Sequence, residues 1–190
     1  MSKDKPTNET GATSPKLGGS KSGSNKKGKH RPSTLPSVAK TGEHAMWRAP
    51  SLLAVDDLVD IDTLVVMLTE DGRPLRGAAG HVDWRMCGHL SRLLLDEVAS
   101  GKAGEHVLLP AGPNLPVERV LLFGCGRSAD VRDGFASILE HLGTTLDGLK
   151  ALAVAVVPPE PGHALQKPLE SWAQDRADVL RLFSPVDKSA

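Results

Sequence analysis

A chain of 190 residues has room for one or at most two domains, and its 23 basic and 23 acidic side chains cancel to a formal charge of zero. The balance hides an asymmetry: through Glu43 there are nine Lys and Arg against three Asp and Glu, while the rest of the chain carries 14 against 20. Tyr is absent and Phe and Trp number three each, which excludes the aromatic platforms on which single-strand nucleic-acid binders stack bases.

Cys87 and Cys125 are the two cysteines, far apart and each inside an apolar segment, so neither a disulfide framework nor a cysteine metal site is predicted. The N-terminus has no apolar run behind its positive charge, and nowhere do 18 apolar residues stand together. A cytoplasmic protein without a membrane partner is expected. Residues 1–43 are Lys, Ser, Gly, Pro and Thr with almost no large apolar side chains, too few to offset the entropy of ordering them, and are predicted to be a disordered basic tail. Within it Lys26, Lys27, Lys29 and Arg31 form a basic cluster that can contact phosphates or simply remain solvated. A single folded domain is expected over 44–190.

The first predicted strand is Asp62–Thr69, a Val- and Leu-rich run closed by Glu70, Asp71 and Gly72. Residues 73–80 are predicted to be a loop shaped by Gly77 and Gly80. Asp83 then caps a helix on which Trp84, Cys87, Leu90, Leu94 and Val98 recur at helical spacing as one inward stripe, ended by Gly101 and Gly104. Two strands follow, Glu105–Pro110 and Arg119–Phe123, separated by a turn rich in Gly and Pro.

Beyond Gly124, Cys125 and Gly126, Asp130 is expected to cap a helix through Leu142 with Val131, Phe135, Ile138, Leu139 and Leu142 inward and Gly143 at its exit. Ala151–Val157 reads as a central strand covered on both faces, and a last helix is predicted from Leu165 to Phe183. Strands and helices interleave, so the predicted class is α/β with helices on both faces of a mixed or mostly parallel sheet.

Three blocks, Arg73–Gly80, Val82–Arg85 and Gly88–Arg92, together with Val120–Gly126, resemble the N-terminal domain of the leucyl (cytosol) aminopeptidases, a likeness running from Leu52 to Val157. The resemblance implies a three-layer, macrodomain-like fold that precedes a dizinc catalytic domain and contributes to hexamer architecture and regulation. Catalysis in that family needs an Asn-Thr-Asp-Ala-Glu-Gly-Arg segment with further Asp and Lys ligands, and this sequence contains no such segment. No catalytic residue, no metal site and no cofactor are therefore expected.

Two weak candidate sites remain. Gly124, Gly126 and Arg127 follow a strand and open a helix, as in a phosphate-cradling loop, although the acidic residue expected to end the next strand is missing; a tight strand-to-helix connection accounts for the same glycines. Asp83 and Arg85 stand where a helix start can receive an anion, or serve as cap and surface ion pair with Trp84 as core anchor. The expected function is a stand-alone interaction, oligomerisation or regulatory module acting through a protein partner or self-association. Its alternatives are an ADP-ribose or nucleotide binder, and a nucleic-acid-tethered accessory protein or subunit of a split metalloaminopeptidase.

Overall fold

The computed structural model describes residues 45–160 and 162–185, so the tail predicted over 1–43 and its basic cluster lie outside the described residues. In chain order the elements are β1 (Met46–Arg48), α1 (Leu52–Asp56), β2 (Thr63–Leu68), α2 (Gly77–Arg85), α3 (His89–Leu95), β3 (His106–Pro110), β4 (Arg119–Gly124), α4 (Ser128–Leu149), β5 (Val154–Val157), α5 (Gln166–Gln174) and β6 (Val179–Phe183). The six strands form one sheet in the order β1-β6-β5-β2-β4-β3. All neighbours are parallel except the β3–β4 pair, which is antiparallel.

The central strands β2, β4 and β5 are buried on both faces, and their two-residue period divides the core in two. Leu64, Val66 and Leu68 of β2, Val120 and Leu122 of β4, and Ala155 and Val157 of β5 point to the layer holding α1, α2 and α3. Val65, Met67, Leu121, Phe123, Val154 and Val156 point the other way, against α4 and α5. There Val131, Phe135, Leu139, Leu142 and Leu146 of α4 and Leu169 and Ala173 of α5 complete a second apolar cluster. Each fully buried Leu or Phe contributes roughly 1.5–3 kcal/mol relative to exposure. The α/β three-layer architecture read from the sequence is thus the one observed, with the mixed sheet as expected.

Four local expectations are corrected. The single helix predicted after Asp83 is two helices, because Cys87 (φ 56°) and Gly88 (φ 75°) both adopt left-handed backbone and reset the helical phase between α2 and α3. Leu90 and Leu94 keep the inward face in α3, whereas Trp84, Cys87 and Val98 are exposed, Trp84 by 63%. Residues 77–80 are not loop but the opening of α2, whose inward contacts come from Ala78, Ala79 and Val82.

Gly143 does not end α4. The helix runs on to Leu149 and stops at Lys150 in left-handed backbone, while Gly143 lies buried where a Cβ would come within 2.9 Å of the Arg176 guanidinium. The last predicted helix ends at Gln174, and Val179–Phe183 crosses back as β6 between β5 and β1. Its residues fit either period by spacing alone; packing against both neighbouring strands decides for extended backbone. The short elements β1 and α1 were not anticipated, being three and five residues long.

Candidate functional site

The loop after β4 is the natural ligand position in an open α/β sheet, since it lies at the carboxyl end of the parallel strands and opens a helix. In this protein its amides are already engaged. Gly124 N–H donates to Glu105 O at 2.7 Å, Cys125 N–H to Leu68 O at 2.7 Å and Gly126 N–H to Gly101 O at 2.9 Å. At the start of α4 the Ser128 amide and hydroxyl donate to the Asp71 carboxylate, at 2.9 and 2.5 Å.

Those bonds from Ser128, hydroxyl first and amide second, hold the Asp71 carboxyl below its ordinary value. A side-chain carboxylate therefore stands where a bound phosphate would sit. The glycines serve packing: a Cβ on Gly124 would lie 2.0 Å from Lys102 O, and one on Gly126 would lie 3.3 Å from the Ala103 methyl. Arg127 is exposed at the N-cap position of α4. Cys125, buried in the same loop, has its thiol pushed up to about 12 by burial and is no nucleophile at neutral pH.

The second candidate pair, Asp83 and Arg85, stands in an open groove of about 880 Å³ bounded by α1, α2, the α2–α3 break and the β3–β4 turn. Asp83 does cap a helix, though not one beginning at Trp84. Its carboxylate accepts from the amide and hydroxyl of Ser91, at 3.1 and 2.5 Å, and so satisfies the first turn of α3 across the left-handed break. Arg85 makes a two-pronged pair with Asp56 of α1, one arm at 2.7 Å, so its charge is matched inside the protein.

The Arg85 guanidinium also lies 5.0 Å from the centre of the Trp84 ring, and Trp84 is 63% exposed. Across the groove the Asn114 amide points at the exposed Cys87 sulfur, at 3.7 Å. The end of α1, the last turn of α2 and the β3–β4 turn all stand where the parallel strands begin, so this groove is at the pole opposite the Gly124 loop.

Sequence reasoning did not single out Asp71, Asp56 or Asn114. Asp71 and Asp56 act on partners 57 and 29 residues away, which no local pattern reports. Among the described residues, no three His, Cys, Asp or Glu side chains converge to hold a metal, so the donor set of a dizinc centre is not formed by them. No helix among the described residues is long and apolar enough to cross a membrane.

A family model described as the N-terminal domain of the cytosol aminopeptidase family matches residues 65–178. The chain belongs to the cytosol aminopeptidase family. A probable cytosol aminopeptidase of Pseudomonas fluorescens is 43% identical over 88 residues, covering 46% of this chain and 18% of the relative. The cytosol aminopeptidase of Pseudomonas aeruginosa is 33% identical over 93 residues, covering 48% of this chain and 19% of the relative. The chain thus spans less than a fifth of the length of these cytosol aminopeptidases.

Two solved structures share the fold at low identity. A tomato leucine aminopeptidase variant superposes with a TM-score of 0.51 at 17% identity, over 80% of this chain and 35% of that one. The macrodomain of Mycobacterium tuberculosis DarG gives 0.51 at 19% identity, over 75% of this chain and 99% of that one. The macrodomain-like architecture implied by the resemblance to the cytosol aminopeptidases is therefore present.

Proposed function

We propose that this cytosol aminopeptidase domain is a cytoplasmic, non-catalytic interaction module that works by docking on protein surfaces. The observation that carries the reading is Trp84, a residue spaced as a core anchor but presented to solvent at the mouth of the α1–α2 groove and braced by the Arg85–Asp56 pair. Large rigid aromatics held outward by fixed neighbours are the side chains that dominate protein interfaces. The matched region is the family's N-terminal domain, and the described side chains offer neither a metal cluster nor an activated nucleophile.

The nucleotide alternative draws on the DarG-like architecture, a fold-level analogy, and the occupied amides of the Gly124 loop weigh against it. The test combines three measurements on the full chain. Leucine release from a chromogenic amide, with zinc or manganese added, is expected to stay at the buffer rate, and metal-dependent release would overturn the non-catalytic part. Calorimetric titration with ADP-ribose at millimolar concentration is expected to be silent, and a saturable heat would favour the nucleotide reading. Sedimentation of the chain mixed with a complete cytosol aminopeptidase is expected to reveal a complex weakened by Trp84→Ala; no association there, nor of the chain with itself, would refute the docking reading.

A further inference from the structure

One side of the sheet ends in an open strand. β3 pairs with β4 on its inner side, and among the described residues no strand lies on its outer side. The inner ladder fixes which of its backbone groups are free. Ala111 N–H donates to Glu118 O and Gly124 N–H to Glu105 O, so residues 105, 107, 109 and 111 face β4, and the alternation of an antiparallel ladder turns His106, Leu108 and Pro110 outward. Both outward N–H groups, those of His106 and Leu108, and the carbonyls of His106, Leu108 and Pro110 lie along this edge.

Natural edges are normally guarded by charged side chains, by proline or by bulges. Pro110 at the end of β3 is such a guard, but between His106 and Val117 there is no charged residue. Of the flanking charges, Glu105 is turned back into the protein, accepting from the Ser100 amide and hydroxyl and the Gly101 amide at 2.7–2.9 Å, while Glu118 is exposed beyond the β3–β4 turn. Leu108 is 45% exposed on the α4 side of the edge, beside His106, whose ring meets His141 edge-on with centroids 6.3 Å apart.

We infer that the outer edge of β3 is a self-association surface, on which a second copy of this chain adds its own β3 antiparallel about a two-fold axis at Leu108. The inference rests on the interaction-module reading and adds to it a partner and a second surface, separate from the Trp84 groove. Centring on Leu108 sets Leu108 opposite Leu108 of the second copy, so each N–H meets the other's carbonyl. It also sets His106 opposite Pro110 of the second copy, where the His106 N–H meets the proline carbonyl. Proline supplies no N–H, so the His106 carbonyl opposite it goes without a backbone donor and that pair makes one bond where two are usual.

The five residues His106–Pro110 thus pair through four backbone hydrogen bonds, two between the Leu108 residues and one at each His106–Pro110 pair. The two Leu108 side chains lie adjacent on one face, shielding surface that the single copy leaves wet. Electrostatics do not oppose it, because no like charges come into register. The opposite edge strand, β1, has three residues and offers a shorter ladder. Five residues of strand bury less than the roughly 1,200 Å² of a stable interface, so the pairing is concentration-dependent.

The test is sedimentation equilibrium of the full chain from about 5 to about 500 μM, a span matched to a small interface. The mass average is expected to rise from 20.1 kDa toward twice that value. Leu108→Lys places two ammonium groups opposite each other and is expected to weaken the apparent Kd at least tenfold while far-UV circular dichroism and melting temperature stay at the parent values. In a Cys87→Ser background, Leu108→Cys is expected to give a disulfide-linked dimer on mild oxidation, since directly opposed strand residues stand within bonding reach. Leu95→Cys, at a position 80% exposed on α3, is the control and should stay monomeric.

A chain that remains at 20.1 kDa throughout overturns the inference. So does association that Leu108→Lys leaves unchanged and Leu108→Cys fails to trap. If that association is instead lost in Trp84→Ala, the docking reading stands and only the β3 surface fails.

Discussion

Gly124→Ala tests whether the glycine loop exists for packing or for a ligand. A Cβ at this position would lie 2.0 Å from Lys102 O and 2.8 Å from the Gly101 carbonyl carbon, both backbone atoms. Ordinary contact needs more than an ångström of additional separation, so the 101–102 segment must move. That segment is tied down by the Gly126 bond to Gly101 O and by the Glu105 carboxylate bonds to Ser100 and Gly101, while Gly124 itself bonds Glu105 and Gly104. Overpacking together with the loss of one or two of these hydrogen bonds costs about 3–5 kcal/mol. That is a large share of the roughly 5–15 kcal/mol that holds a domain together and corresponds to a drop of roughly 10–15 °C in melting temperature. The matched control is Gly88→Ala, where φ is +75° but no atom lies within 4 Å of the added carbon, so only the backbone preference of about 1 kcal/mol is lost. Urea denaturation followed by circular dichroism measures both. If Gly124→Ala unfolds no earlier than Gly88→Ala, the packing account of this loop is wrong.

Three further outcomes follow from the same geometry. Phe135→Ala, in the cluster under α4, should cost about 3–5 kcal/mol, whereas Trp84→Ala should cost less than about 1 kcal/mol in the same urea series; equal costs would mean that Trp84 is packed after all. A thiol reagent should modify the exposed Cys87 rapidly and Cys125 only after denaturation, because burial pushes the Cys125 thiol up to about 12; two fast equivalents in the native state would contradict the burial. Glu105 is raised most by burial, but hydrogen bonds from Ser100 and Gly101 outweigh that and hold its carboxyl below the ordinary value. A depressed folded-state pKa gives stability that is present above the unfolded value, near 4.3, and is lost as pH falls through the folded one. Acid unfolding between pH 5 and pH 2 should therefore be steeper in the parent than in Glu105→Gln, and superimposable curves would show that the carboxylate does not couple to folding.

The layered fold was legible because its central strands announce themselves. β2 and β5 are continuous apolar runs, and a run with no polar alternation has to be covered on both faces. The stripe of α4 was legible for the same reason, with Val131, Phe135, Leu139 and Leu142 all buried as spaced. What failed was phase. A helical stripe drawn from Trp84 to Val98 assumes one uninterrupted helix, and two successive left-handed residues at Cys87 and Gly88 are enough to turn the first part of the stripe outward. Nothing local marks a cysteine as left-handed, since that conformation is imposed by the chain on either side. β6 was misread because a seven-residue gap between Trp172 and Val179 suits two helical turns as well as a turn into a strand.

The candidate sites were legible as positions but not as states. Asp83, Arg85, Gly124 and Gly126 were found by residue type, yet whether an amide or a guanidinium is available to a ligand depends on partners distant in sequence. Asp71 reaches Ser128 and Asp56 reaches Arg85, and each contact spends inside the protein a group that the sequence offered to a ligand. At the pole where the parallel strands end, the Gly124, Cys125, Gly126 and Ser128 amides are thus engaged by carbonyl and carboxylate oxygens. Two features open to solvent stand elsewhere: the Trp84 ring at the opposite pole and, among the described residues, the outer backbone edge of β3 at the flank. The interaction-module reading we propose rests on that contrast, between a loop whose amides are already engaged and a rim and edge left open to solvent.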